Sequence, residues 1–302
     1  MMNLNSLSTI SIYILSSVFA TILNKYIVSS SSKLLPITLI LIQSIGVSLF
    51  LILILLFKNA KIFSIKKVNL RQTNAHKWIF SSFLLTAMIH SGIKALQHLP
   101  VSIFTLFKNL TTIFVAILEY KFFDKKITKI SIISFVLIFL SSLFVDIADF
   151  QTSLFGYIYM SINVVSTAFY VLFLRKTILE AGVTNLEAVF YAQFNSIPFL
   201  VVLLLFLKEY KYFNLIDSKF IYLSSLSCVF IFMIAYSTTI TLKKMSSTCL
   251  TMMGSTNKFL ISISGIIFLH EKNVNILKII SVILGTVSGA IYLLEDVFKG
   301  KT

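Results

Sequence analysis

The chain has 302 residues, of which 57% are hydrophobic and only 12% are charged, and its mean hydropathy is +0.94. Soluble domains carry about twice that share of charged residues, so the composition excludes a soluble fold and predicts a polytopic membrane protein. The formal net charge of +15 would suit nucleic-acid binding, but most Lys and Arg fall in short segments between apolar runs. We therefore assign the charge to membrane topology and expect no nucleic-acid partner. Cys228 and Cys249 lie inside apolar runs without metal-ligand spacing, so neither a metal nor another cofactor is expected.

Runs of about 20 apolar residues, bounded by charges or turn formers, are typical of transmembrane helices. The first run is longer than the core of a signal peptide, so it is interpreted as a span. We therefore expect an all-α polytopic membrane protein with ten transmembrane helices. The predicted spans are 8–28, 35–57, 78–97, 100–120, 127–145, 154–174, 186–207, 220–242, 247–269 and 274–294.

The distribution of positive charge predicts the orientation of these spans. If the N-terminus is cytosolic, most Lys and Arg outside the spans are cytosolic too, including the clusters at 58–77 and 121–129. The opposite loops are poorer in lysine, and the loop after the fifth span carries Asp146 and Asp149 instead. Because cytosolic loops are enriched in Lys and Arg, both termini are expected in the cytosol.

Ten spans divide near 146–153 into two halves of five, residues 1–147 and 148–302. Five is an odd number, so the second half begins on the opposite side of the membrane from the first. Two related halves would therefore be inverted repeats within one membrane domain.

Two lysines, Lys108 and Lys258, lie deep inside spans four and nine, which are equivalent positions of the two halves. Each is next to an asparagine, Asn109 or Asn257. A cation at this depth costs several kcal/mol, so it is expected to face an aqueous cavity or an anionic partner. Gly254 and Lys258 share a helix face, so a ligand could approach the backbone while the ammonium reaches its negative group. This spacing indicates a phosphate.

The surroundings of Lys108 leave two interpretations open. Thr111 and Thr112 add hydroxyls within two turns, which suits a phosphate or a gating partner. The alternative is a buried ion pair. Glu119 lies about three turns beyond Lys108, too far for a direct pair, so it is expected to meet a cation from another helix or from the interface.

Span seven contributes a second polar segment. Tyr191 and Asn195 are four residues apart and share a helix face, and Gln193 lies between them. Amides beside aromatic rings suit the recognition of a planar, hydrogen-bonding base. Interhelical hydrogen bonding with a kink at Pro198 is the alternative interpretation.

Two segments, 96–111 and 246–258, resemble the GDP-mannose transporters of fungal Golgi membranes. The first ends in Phe-Lys-Asn-Leu-Thr and the second in Gly-Ser-Thr-Asn-Lys, and Gly-x-x-Asn-Lys is the family's most specific mark. The similarity extends from Asn24 to Gly265. It implies the drug/metabolite transporter superfamily, two inverted five-helix repeats, and exchange of a cytosolic nucleotide sugar for a luminal nucleoside monophosphate.

Carried over residue by residue, the resemblance assigns roles at the phosphate side of the site. Gly254, Ser255 and Lys258 would line the sugar-diphosphate region, with Asn257 supporting it. Tyr13 looks like a span-one tyrosine that reaches the ligand.

At the base side, the family's Phe-Tyr-Asn-Asn motif contacts guanine, and here it reads Phe190-Tyr191-Ala192-Gln193. Tyr191 and Gln193 would contact the base, whereas Ala192 lacks the amide. A family tyrosine four residues before the motif glycine is replaced by Leu250. These departures keep open a different nucleotide sugar, a free nucleotide or a phosphorylated metabolite as cargo.

The expected function is therefore an antiporter that exchanges a cytosolic GDP-sugar, GDP-mannose first, for luminal GMP in a Golgi or ER/Golgi bilayer. A homodimer is compatible with the sequence. A third class, a membrane enzyme or scaffold, is disfavoured. The chain shows no membrane-embedded pair of Asp or Glu, no His cluster and no Ser-His-Asp arrangement, so it is not expected to be an enzyme.

Overall fold

The computed structural model of the protein describes residues 4–30, 35–58, 75–99, 101–143, 153–268 and 276–299. Within these ranges the chain forms helices and no strand, which confirms the predicted all-α class. A 3-10 helix, Glu209–Leu215, follows α7. The ten α-helices of the described ranges are α1 Leu4–Ser30, α2 Pro36–Lys58, α3 Ala75–His98, α4 Val101–Phe123, α5 Lys129–Leu143, α6 Leu154–Ala181, α7 Asn185–Phe206, α8 Ser218–Lys244, α9 Ser247–Phe268 and α10 Ile276–Lys299.

A helix lies at each predicted span, and seven of those in the described part are long and apolar enough to cross a membrane. The seven do not include α5, which has 15 residues, nor α4 and α9, which carry the deep lysines. The count of ten membrane spans stays a prediction.

Helix α6 is seven residues longer than its predicted span, which ended at residue 174. The apolar run stops at Arg175 and Lys176, but the helix continues to Ala181 with Thr177 buried. It ends at Gly182, whose φ of 60° places it in the left-handed region that glycine adopts without a steric penalty. The predicted end was wrong because it marked a change of polarity and not a change of backbone.

Most of the helix contacts repeat when both helix numbers shift by five. Helix α3 packs on α6 and α7, while α8 packs on α1 and α2. Likewise α4 packs on α5 and α6, and α9 packs on α10 and α1. The remaining large contacts join α2 with α7, α4 with α9, and α5 with α10. Two related five-helix halves would pack in this way.

One end of the bundle, which we name the Glu119 end, is where α3, α7 and α9 begin and α4, α6 and α8 end. Lys77 and Glu180 join α3 to α6 there at 2.5 Å, and Lys243 donates to the carbonyl of Val183. At the opposite end, the Glu209 end, Ile27, Leu35 and Phe220 pack where α1 ends and α2 and α8 begin. The two ends are thus fixed by different contacts.

The start of α2 is capped by a carboxylate from a distant part of the chain. Glu209 accepts hydrogen bonds from the backbone nitrogens of Ile37 and Thr38, at 3.0 and 2.8 Å, and from Thr38 Oγ1 at 2.8 Å. The first N–H groups of a helix have no partner within the helix, and the positive end of its dipole favours an anion. Glu209 is 4% exposed, so little water could replace it.

We expect Glu209→Ala to destabilise the protein, because it leaves these buried donors unsatisfied, at a cost of about 1–3 kcal/mol. Thermal unfolding of the purified protein in detergent should show a lower Tm. Lys211→Ala is the matched control, since the exposed Lys211 belongs to the same 3-10 helix. Equal Tm values for the two variants would contradict the capping role.

Candidate functional site

Helices α4 and α9 contact each other through the polar segments that carry the deep lysines. The hydroxyls of Thr112 and Ser255 are 3.1 Å apart and both are buried. Small hydroxyl residues let membrane helices approach closely and bond across the interface. The two segments, 143 residues apart in sequence, therefore adjoin at this point.

Tyr13 of α1 lies beside Gly254 of α9. A Cβ atom added at Gly254 would be 3.7 Å from Tyr13 Oη, an ordinary van der Waals distance, and nothing else of the described protein would be within 4 Å of it. The glycine thus exposes its backbone next to a tyrosine hydroxyl. Tyr13, Gly254 and Ser255 are therefore brought together.

Lys108 has neutral neighbours. Its Nζ donates to Thr167 Oγ1 of α6 at 3.1 Å and lies 5.8 Å from the centroid of the Phe104 ring. Among the residues that the structure describes, no carboxylate forms an ion pair with Lys108. The alternative of a buried ion pair is therefore wrong for the described part of the chain. Thr167 gave no signal in the sequence, because one hydroxyl in an apolar run is common.

The two asparagines next to the lysines attach their helices to neighbouring ones. Asn109 Nδ2 donates to Ser142 Oγ of α5 at 2.6 Å, and Asn257 Nδ2 donates to Ser17 Oγ of α1 at 2.5 Å. Both side chains are buried. Each keeps an Oδ1 atom without a partner in the described ranges. In this conformation the two amides position α4 and α9.

Lys258, the most specific of the predicted site residues, is described only in its backbone, which belongs to α9. Its side chain lies outside the described part of the structure.

One of the predicted base-recognition residues, Tyr191, lies in a hydrophobic cluster at the Glu119 end. The rings of Tyr191 and Trp78 are 5.5 Å apart, and Leu250 packs in the same cluster. Tyr13 and Ala192 pack against it from its edge. Both departures from the family pattern, Ala192 and Leu250, are thus in one place.

Trp78 is a residue that the sequence did not indicate. It is the only tryptophan of the chain and stands near the start of a span, where tryptophan commonly marks the membrane interface. Here it is fully buried against Tyr191.

The other two polar residues of α7 differ in their contacts. Asn195 Nδ2 donates to the carbonyl of Tyr191 at 2.8 Å, so this amide bonds its own helix and makes no interhelical bond through that group. The side chain of Gln193 is half-buried on α7. The structure therefore places Tyr191 among residues of α3, α6, α8 and α9, while the amide nitrogen of Asn195 bonds within α7.

Glu119 is held by the cation that the sequence predicted it to meet. Arg175 of α6 forms an ion pair with it, and Glu119 is fully buried. The same carboxylate accepts from the backbone nitrogens of Ser247 and Thr248, at 2.7 and 3.1 Å, and from Thr248 Oγ1 at 2.6 Å. The expectation for Glu119 is confirmed.

Arg175 lies just beyond the predicted end of span six, at residue 174, but belongs to α6. Its side chain is only 14% exposed within α6. It donates to the carbonyl of Met245 at 3.0 Å and lies over the Phe123 ring, 4.7 Å from the centroid. Glu119 and Arg175 together link α4, α6, α9 and the end of α8.

Comparison with known proteins gives a consistent assignment. The EamA-like transporter family matches residues 7–146. The GDP-mannose transporter of Schizosaccharomyces pombe is 32% identical over 294 residues, which cover 93% of this chain and 84% of that protein. Those of Neurospora crassa and Aspergillus niger are each 33% identical and cover 93% and 92% of this chain and 76% and 77% of their own lengths.

A solved crystal structure has a TM-score of 0.71, with 13% identity over 97% of both chains, and shows the fold alone. The sequence relatives are more informative, because they are about one third identical to this chain over nearly its whole length. The chain therefore belongs to the family of the fungal GDP-mannose transporters, within the drug/metabolite transporter superfamily, and is a transporter and not an enzyme.

Proposed function

We propose that the protein is a Golgi antiporter that carries a GDP-sugar, GDP-mannose first, into the lumen and returns GMP to the cytosol. The observation that carries this proposal is the alignment of 93% of the chain with a transporter named for GDP-mannose. The geometry of α4 and α9 supports it, because a polar site between two membrane helices suits an anionic cargo.

The phosphates would bind between Lys108 and Lys258. Lys108 has only a hydroxyl and a ring as described partners, so its charge is uncompensated and favours an anion. Ser255 and the open backbone at Gly254 would add hydrogen bonds, with Tyr13 beside them. The motif lysine of α9, Lys258, would supply the second positive charge.

Exchange follows from the same charges. Reorienting an empty site would move uncompensated lysines through a membrane environment, which is costly. Either nucleotide would neutralise them, so a loaded carrier would change state more readily than an empty one. Obligatory exchange of GDP-sugar for GMP is the consequence.

Alternating access would use two inverted repeats, residues 1–147 and 148–302, with ten spans and both termini cytosolic. The packing supports this arrangement, since each helix contact of the first half has a counterpart shifted by five. The α4–α9 contact joins equivalent helices, and carrier sites of this class lie at such a repeat interface.

We further propose that the Glu119 end is the cytosolic gate. There the Glu119 carboxylate joins α4 to the start of α9, and Arg175 joins it to α6 and to Met245. Opening this end would separate a buried carboxylate from its donors, so ligand binding must offset that cost. The cluster around Trp78 and Tyr191 would separate when this end opens.

Exchange of GDP-mannose for GMP in proteoliposomes tests the transport proposal directly. We expect Lys108→Ala to lower exchange about tenfold or more, because a charged hydrogen bond contributes about 1.5–3 kcal/mol. Lys258→Ala should have a similar effect. Lys94→Ala is the control, since Lys94 bonds Gln97 of its own helix. Absence of uptake with every GDP-sugar would end the proposal, and full exchange by Lys258→Ala would remove its mechanism.

The gate is tested by Glu119→Gln, which leaves Arg175 without its buried counter-ion. Removing one partner of a buried pair costs about 3–5 kcal/mol, so we expect a lower Tm and slower exchange. Arg175→Lys keeps the charge and should be milder. Glu180→Gln is the control, because it breaks the Lys77–Glu180 pair, which is more exposed than the Arg175–Glu119 pair. It should change Tm and exchange little. Unchanged exchange in Glu119→Gln would argue against the gate.

A second candidate is a different nucleotide cargo, and the joint position of Ala192 and Leu250 favours it. Both are apolar and both pack with Tyr191, so the base side has lost two hydrogen-bonding groups in one place. A site without such groups discriminates poorly between bases. The phosphate side would be unchanged.

A thermal-shift screen with GMP, UMP, CMP and AMP separates the two candidates. At 100 times its Kd a ligand stabilises the native state by about 2.7 kcal/mol, so the preferred nucleotide gives the largest rise in Tm. The GDP-sugar proposal predicts that GMP gives the largest rise in Tm. A larger rise in Tm with another monophosphate would indicate that the cargo carries that base and not guanine.

A further inference from the structure

A cavity of about 550 Å³ lies on the outer face of the bundle, between α3, α4 and α6 near the Glu119 end. We name it the phenylalanine groove. Its walls are mainly aromatic, and Lys176 and Glu180 stand at one end. The aromatic side chains that line it are Phe80, Phe122, Phe123, Phe169 and Phe173.

The groove opens towards the membrane. Phe122 is 64% exposed, and α3 and α6 are both apolar enough to span a bilayer. Along α6 the groove extends from Phe169 to Glu180, eleven residues or about 16 Å at 1.5 Å per residue. Half of a hydrocarbon core of about 30 Å is about 15 Å. The apolar part of the groove, from Phe169 to Lys176, is about 10 Å long and covers about two thirds of the depth of one leaflet.

The polar end of the groove carries positive charge. Lys176 is 60% exposed and lies 3.9 Å from Glu180, which is already bonded to Lys77 at 2.5 Å. Lys77 and Lys176 share the carboxylate of Glu180, so one of their two positive charges is uncompensated. Arg175, the neighbouring cation, is neutralised by Glu119 inside the bundle.

We propose that the phenylalanine groove binds an anionic phospholipid, with one acyl chain along the aromatic wall and its phosphate at Lys176. The volume is in the range of ligand pockets, about 300–1,000 Å³. Basic pockets between membrane helices bind anionic headgroups. A second copy of the chain is a poorer occupant, because a twofold contact at this face would bring equal positive charges together.

The lipid would also be coupled to the interior. Phe123 lines the groove, and the Arg175 guanidinium lies over its ring. Arg175 in turn pairs with Glu119 of α4, and the Glu119 carboxylate accepts from the backbone nitrogen of Ser247 at the start of α9. Occupancy of the groove should therefore raise the thermal stability of the protein.

The test is a titration of the purified full chain in detergent with phosphatidylserine or phosphatidylcholine of identical acyl chains, followed by Tm and by native mass spectrometry. We expect phosphatidylserine to bind more tightly and to raise Tm more. Lys176→Glu should weaken phosphatidylserine binding about fivefold or more, since one lysine near a headgroup contributes about that factor. Lys126→Glu, the same charge change at an exposed lysine between α4 and α5, should have little effect.

A second variant tests the acyl chain. Leu179→Trp fills the groove from an exposed position and should weaken binding of both lipids without a change of charge. Equal losses in Lys176→Glu and Lys126→Glu would overturn the proposal in favour of diffuse attraction. Unchanged lipid binding in Lys176→Glu and Leu179→Trp would overturn it too. A shift in dimer content without a change in lipid binding would assign the groove to a second copy.

Discussion

The contact on which the arrangement of the interior depends is the buried carboxylate of Glu119. Such a charge is tolerable away from water only if it is fully compensated, and here a guanidinium, two backbone N–H groups and a hydroxyl compensate it. The partners come from α6 and α9, so the position of α9 is tied to α4 and α6. The site-bearing stretch of α9 continues from this fixed start.

The residues near the α4–α9 contact otherwise fall into two kinds. Asn109 and Asn257 donate to serines of adjacent helices and are structural in this conformation. Lys108 has only neutral described partners, and Gly254 leaves its backbone open beside Tyr13. An anion would compensate the charge of Lys108 and leave the asparagine–serine hydrogen bonds undisturbed.

Much of the fold could be predicted because its signals are local. Each predicted span contains a helix, and the largest error, at the end of α6, arose because Arg175 looked like a loop residue. The cation partner of Glu119 was predicted in kind but not in identity. Thr167, Trp78 and Ser142 could not be predicted as neighbours of the site, since a lone hydroxyl or a tryptophan near a span end carries no information on which helix it will face.

The sequence by itself determined the membrane class, the positions of the helices and the family, because apolar run length and the Gly-x-x-Asn-Lys element are contained in short stretches. Only the tertiary structure decided which distant residues meet. It placed Thr112 against Ser255, and Ala192 and Leu250 in one cluster with Tyr191. Hydrogen bonding and close packing act over a few ångströms in space, and residues more than fifty positions apart have no local signal that fixes such distances.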